Sequence, residues 1–217
     1  MVNRVATREE LGLTRAEYAL LKDLSSPYKI QDFISRIPTN FEPEGDTYLS
    51  VRQVLRQRRA HCIEAAMVAA CARWINGEAP LLMDIRAVRD DDHVIALYRR
   101  NSHWGSISKT NNCTLRFRDP VYRSLRELAL SYFHEYSNDR REKTMREYSR
   151  AFDLSRIDPK LWVTNGDNCW EIVDMLDEIR HYKLVTPIQA GKLRRLERVE
   201  MRARKVKQFQ NPYVARA

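Results

Sequence analysis

The chain has no apolar run approaching the length of a membrane span, so no transmembrane helix is expected. It has no C-x-x-C. Its four cysteines, Cys62, Cys71, Cys113 and Cys169, stand far apart, which argues against a structural zinc site and against a disulfide scaffold. It also lacks H-E-x-x-H and the pairing of H-x-E with C-x-x-C. His61, Glu64, Asp84, Asp90, Asp91, Asp92 and His93 are therefore poor metal ligands as a set, and neither metal nor cofactor is expected. No repeat and no low-complexity segment is present. Met1-Val2-Asn3-Arg4 leads into charged residues rather than a signal sequence, so a cytoplasmic, reduced chain is expected. In that setting a lone cysteine has to be weighed as a nucleophile.

What the chain does have is positive charge, +9 in total over 217 residues. Much of it sits at one end: from Val185 to Ala217 there are nine Lys/Arg against two Glu, which gives +7. The basic residues spread around the expected last helix with few aromatics between them, which does not suit base stacking. Docking on an acidic protein, or weak contact with nucleic-acid phosphates, is the partner chemistry such an end offers.

Helical signals dominate. Thr7-Arg8-Glu9-Glu10 and Thr14-Arg15-Ala16-Glu17 have the form of capping boxes, and Ser26-Pro27 opens a segment that Pro38 stops. Further helices are expected from Pro120 to Tyr136, from Arg140 to Phe152, from Asp167-Asn168 to Tyr182, and from Thr186-Pro187 through Phe209. Arg116 to Pro120 reads as a loop. Pro80 to Val88 reads as a strand, and His93–Arg99 with His103–Ser108 as a hairpin turning at Arg100-Asn101-Ser102, the only clear antiparallel pair.

The segment with chemical promise is Arg59-Ala60-His61-Cys62-Ile63-Glu64-Ala65-Ala66. Ile63, Ala66, Met67, Ala70, Cys71 and Trp74 follow at helical spacing, which puts Cys62 at a helix start. Unpaired N–H groups and the helix dipole there favour a thiolate. Cys71 reads as a core thiol, Glu64 as a first-turn acid, and His61 as a capping or surface histidine. A hairpin centred near Asn101 sets His93 opposite about position 109. Ser108, Lys109, Thr110 and Asn111 are then the residues that can neighbour its ring, giving a cysteine, a histidine and a polar third group.

His61-Cys62-Ile63-Glu64-Ala65, Asp91-Asp92-His93 and the stretch Trp104 to Asn111, in that order, resemble the transglutaminase-like branch of the papain-like cysteine enzymes. The likeness is greatest to bacterial transglutaminase-like proteins and runs over roughly positions 40 to 136. It implies an α+β fold, with a small antiparallel sheet, the cysteine helix packed on it, and flanking helices. It implies acyl transfer by Cys62 and His93 on a protein or peptide substrate: a peptidase or amidase if water accepts the acyl group, a transferase if an amine does. It further implies an oxyanion held by the Cys62 backbone N–H and a donor just upstream, Gln57. The family's third residue, an Asp four places after the strand Trp, is Ser108 in this chain, with Asn111 as the alternative. The rival expectation is an inactive fold serving as an interaction protein through its basic C-terminal helix. The expected organisation is a helical packing region (1–49), the core (50–136), a helical extension (137–184) and a basic helix and tail (185–217).

Overall fold

The computed structural model describes residues 4–213. Met1–Asn3 and the last four residues, on which the leader and tail expectations partly rest, lie outside it. Helices α1 (Arg15–Asp23), α2 (Pro27–Arg36) and α3 (Val51–Gln57) lead to α4 (Cys62–Ile75). Strands β1 (Leu81–Ala87), β2 (His93–Arg100), β3 (His103–Ile107) and β4 (Arg118–Tyr122) precede α5 (Leu125–Phe133). Then come β5 (Met145–Ser149), β6 (Phe152–Asp153), α6 (Trp170–Glu178), β7 (His181–Lys183), α7 (Pro187–Gly191) and α8 (Arg198–Arg204). The strands form one antiparallel sheet in the order β4-β3-β2-β1-β5-β7, with β6 pairing the start of β1.

This is an α+β fold with the cysteine helix packed on the sheet. Alternation along β2 explains how the sheet carries two cores. Val94, Ala96 and Tyr98 face the core that holds α1 to α4 and α6, while Ile95 and Leu97 face the core around α5. Helix α4 is apolar on nearly every side, from Ile63 through Cys71 to Ile75, as a helix wedged between helices and a sheet must be. Cys71 is fully buried, as its helical position leads one to expect. The β2–β3 turn places Asn101 and Ser102 at φ of 49° and 64°, the left-handed pair that suits the twist of a two-residue hairpin. On β3, Gly105 leaves room for the Tyr98 ring and the Arg118 carbonyl; a Cβ there would fall 2.4 Å from Tyr98 Cζ. No helix among the described residues is long and apolar enough to cross a membrane.

Several sequence expectations are overturned. The Thr7 capping box forms, with Glu10 accepting from the Thr7 N–H at 3.0 Å, but the chain turns away at Gly12, φ 63°, instead of continuing as helix. Arg118–Tyr122 is a strand, not part of a loop, and the helix expected from Pro120 begins only at Leu125. Arg140–Phe152 is not a helix: β5 pairs with β1, Ile85 opposite Tyr148 and Ala87 opposite Met145. A register shift between Arg86 and Ala87 leaves one extra residue on β5 and sets Met145 and Tyr148 three apart on the buried side. A bulge has thus imitated the spacing of a helix. Helix α6 stops at Glu178, and the remainder becomes edge strand β7. The expected long C-terminal helix is two short ones. Between them Leu196 is buried, its N–H donating to the Arg141 carbonyl at 2.9 Å and its own carbonyl accepting from Arg141 Nε at 2.6 Å.

Candidate active site

The approach to Cys62 is held rigidly. Helix α3 ends at Arg58 in the left-handed region, φ 56°. Ala60 then makes a short bridge, its N–H donating to the Pro38 carbonyl at 3.0 Å and its carbonyl accepting from the Asn40 N–H at 3.2 Å. His61 follows as the extended N-cap of α4, and Cys62 is the first helical residue, half-buried. Its backbone N–H lies in the first turn of the helix, where no intrahelical acceptor exists.

His61 is neither a surface group nor turned away from the thiol. Its Nδ1 lies 3.9 Å from Cys62 Sγ, and its Nε2 is 2.6 Å from the Thr47 carbonyl oxygen. Adjacent residues diverge within a helix, but His61 is still extended, so its ring lies beside the sulfur. Below it Glu64 is fully buried. The carboxylate accepts from the backbone N–H groups of His61 (2.8 Å) and Leu49 (2.9 Å), from Asn40 Nδ2 (3.1 Å) and from Thr47 Oγ1 (3.2 Å). Glu64 Oε1 is also 3.3 Å from His61 Nε2, and Glu42 Oε1 is 3.4 Å from it.

These contacts set the charges. Burial alone would push the Cys62 thiol up, but hydrogen bonding and attraction from His61 and His93 outweigh it and hold the group well below the ordinary thiol range. Burial would likewise pull His61 down, but Cys62, Glu64 and the Thr47 carbonyl raise it to about 10. An imidazolium that donates Nδ1–H to a thiolate and Nε2–H to a carbonyl satisfies both contacts.

His93, at the start of β2, is buried, and its Nε2 lies 2.8 Å from Ser108 Oγ. The β2–β3 register pairs Ala96 with Ile107 and, carried on, His93 with Thr110; Ser108 lies diagonally from His93 on the same side of the sheet. The Ser108 hydroxyl donates to the Leu115 carbonyl at 2.5 Å, so toward His93 it can only accept. The neutral His93 ring therefore carries its hydrogen on Nε2 and keeps Nδ1 free. Leu115 is clamped for this purpose: it sits at φ 57°, and its N–H donates to Glu135 at 2.8 Å.

The polar groups of the other candidates are engaged elsewhere. The Asn111 side chain is bonded at both ends to the Phe209 backbone, at 3.0 and 2.8 Å, and is committed to holding the C-terminal segment. Gln57 is exposed, and its carbonyl accepts from Arg59 Nε at 3.0 Å, which leaves it apart from the hollows at the thiol. Lys109 is buried, with Nζ donating to the Ile34 and Ile37 carbonyls; burial and then Arg116 lower it to about 8. Among the described residues, no group of three or more His, Cys, Asp or Glu side chains is arranged to hold a metal ion.

Two hollows meet at Cys62. One, of about 190 Å³, runs past His93, Lys109 and Tyr136; the other, of about 740 Å³, runs past Tyr48, Val94 and Leu176. Sequence reasoning reached Cys62, His93 and Ser108, which the structure gathers at one place. It set His61 aside as a capping or surface histidine, and it passed over Leu115 and Glu135. For His61 the signal was present: His-x-x-Glu at a helix start is a capping box whose first residue is not yet helical.

Ser108 is open to a direct test. Ser108→Ala removes the acceptor for His93 Nε2–H, and a neutral hydrogen bond of about 1 kcal/mol corresponds to roughly a fivefold loss in turnover. Ser108→Asn should restore it, since the amide oxygen can accept from His93 and the amide N–H donate to Leu115. ¹⁵N chemical shifts of the His93 ring should show hydrogen on Nε2 in the parent and the Asn variant, and a mixed tautomer in the Ala variant.

No family model matches the chain, and no curated protein does either.

Proposed function

We propose that the chain is a thiol-dependent acyl-transfer enzyme of the papain-like, transglutaminase-like type, with Cys62 as nucleophile. The observation that carries this reading is a helix-start thiol with two imidazoles acting on it, one of them fixed in tautomer by Ser108. In the reactive form the thiol proton resides on His93 Nδ1, while the charged His61 holds the thiolate. Sulfur attacks an amide carbonyl, forming the C–S bond, and the Cys62 N–H faces the oxygen as charge develops on it. When the C–N bond breaks, His93 gives its proton to the departing amine. Water or a second amine then gives a proton to His93 Nδ1 and attacks the thioester, and the thiolate leaves.

A non-catalytic role through the basic end has less support. That segment is folded against its own chain: the Gln208 N–H donates to the Asn111 carbonyl at 2.9 Å, and Arg116 reaches Gln208 Oε1 at 2.9 Å.

The test uses unfolded casein as acyl donor, with and without a fluorescent primary alkylamine, and follows cleavage, amine incorporation and the intact mass of the protein. The expected result is an acyl adduct on Cys62, with turnover absent in Cys62→Ala. A wild-type chain that forms no adduct and releases no product, or a Cys62→Ala variant as active as the parent, would overturn the proposal.

A further inference from the structure

The net charge is +9, yet the hollows on either side of Cys62 carry acid. The larger has Glu42, Asp46, Asp84 and Asp177 in its wall with no Lys or Arg, and the run Asp90-Asp91-Asp92 borders both. Most of these carboxylates are engaged within the protein. Asp84 meets His181 at 3.0 Å, Asp177 meets Arg86 at 3.0 Å, Asp90 accepts from Thr144 at 2.7 Å and Asp92 from the Ala87 N–H at 2.8 Å. Asp46 and Asp91 are different: both are exposed, and neither side chain has a hydrogen-bond or salt-bridge partner among the described residues. The cations are also occupied: in the smaller hollow Lys109 by the Ile34 and Ile37 carbonyls and Arg204 by Asp139, and His61, which lines both hollows, by the Cys62 sulfur and the Thr47 carbonyl.

A separate observation points to a ligand. Ser137 lines the smaller hollow and is only 4 % exposed, yet its hydroxyl has no partner; Thr39 Oγ1, in the same wall, is likewise buried and unpaired. Buried hydroxyls are seldom left so. They can accept from, or donate to, a polar group seated there.

From this geometry we infer that the site takes a basic peptide, one carrying Lys or Arg beside the acyl group that Cys62 attacks. Asp46 and Asp91 face the cationic side chains, and Ser137 and Thr39 meet a polar group in the smaller hollow. This inference rests on the reading of Cys62 as the nucleophile. Carboxylates in a partly enclosed cleft concentrate cationic ligands more strongly than the same charges on an open surface.

The experiment separates the charge of the cleft from the chemistry of the thiol. Cys62 is treated with ammonioethyl, methyl and sulfonatoethyl methanethiosulfonates, which are cationic, neutral and anionic, and the modified residue is identified by peptide mass. At low salt the cation-to-anion rate ratio is expected to be about tenfold above that of N-acetylcysteine amide, and to fall severalfold in about 1 M salt. It should fall similarly in the Asp46→Asn/Asp91→Asn double variant. In parallel, the Cys62→Ala protein should bind a Lys/Arg-rich peptide, followed by fluorescence anisotropy, and not a Glu/Asp-rich peptide of the same length. A ratio equal to that of the free thiol would overturn the inference while leaving the nucleophile intact. Failure of even the neutral reagent to modify Cys62 would remove the nucleophile and the inference with it. A selective ratio without peptide binding would make this a site for small amines, and the peptide inference would be wrong.

Discussion

Iodoacetamide at about pH 6 should alkylate Cys62 roughly tenfold faster than it alkylates a small free thiol. An ordinary thiol of pKa about 8.5 is only about 0.3 % ionised at that pH. Cys62 is held well below the ordinary range, so its thiolate fraction there is far larger. The gain in rate is smaller than the gain in ionisation, which cannot exceed about 2.5 decades from that starting point, because a less basic thiolate is a weaker nucleophile; a Brønsted slope of about 0.4–0.5 leaves about one decade of rate. The sign of the pH dependence follows. The free thiol slows tenfold for each unit below its pKa, while Cys62 should stay flat through the same range and decline only at lower pH. The two imidazoles should separate in this assay. His61→Gln removes the charge beside the sulfur, and the profile should move to higher pH. His93→Ala should remove turnover on an acyl donor, with a smaller effect on alkylation. Cys71, fully buried and raised by that burial, should stay unmodified until the protein unfolds. Peptide mass mapping against pH reads all of this. A Cys62 that follows the free thiol across the range would contradict the charges assigned to the site.

How much of this was legible before the structure depends on how local the determinants are. The start of α4 is local: an apolar period beginning at Ile63 and a Glu three residues into the helix mark it. The contact between His93 and Ser108 joins residues 15 apart, but a hairpin turn links them, so pairing geometry alone brings Ser108 within reach. Leu115 and Glu135 were not legible. Their role depends on a left-handed Leu and on the turn after α5 delivering a carboxylate to its N–H, and neither leaves a periodic trace. The edge strands failed for a related reason. Arg118–Tyr122 alternates half-buried with exposed and contains Pro120, and His181–Lys183 spans only three residues. Such strands are set by the neighbour they pair with, and their own propensity says little. Residues 140–152 misled in the opposite direction, because a bulge gave a strand the spacing of a helix.

The capping of α4 was read as a helix signal alone, yet the same residues set the chemistry. Glu64 ties the N-cap to the rest of the molecule: Asn40 and Thr47 from the loop before α3, Leu49 just ahead of it, and the His61 backbone all donate to one carboxylate. The loop fixed in this way offers the Thr47 carbonyl to His61 Nε2. Thr47 and Glu64 thus bear on the sulfur without touching it, through the charge and orientation of the His61 ring.

Glu64→Ala should therefore be the most damaging single substitution near the site, costing about 3–5 kcal/mol, the range for removing one partner from a buried charged network. The donors left behind explain the size. The buried Leu49 N–H and the His61 N–H lose their acceptor, the Thr47 hydroxyl is left with Glu42 alone, and a small cavity opens beneath the N-cap. For a chain of this length the loss corresponds to a fall in Tm of about 6–20 °C, measurable by calorimetry or circular dichroism. Glu64→Gln keeps the volume and one acceptor oxygen but turns an amide N–H₂ toward groups that are themselves donors, so its loss should be intermediate. The Gln variant also keeps the chemistry observable in a folded protein. Removing the carboxylate lowers the proton affinity of His61, since Glu64 is among the groups that raise it. A less charged His61 supports the thiolate less, and the alkylation profile of Cys62 should shift to higher pH. A Glu64→Ala protein melting within about 2 °C of the parent would mean that these hydrogen bonds carry little of the stability. An unmoved profile in Glu64→Gln would mean that the carboxylate does not act on the sulfur through His61.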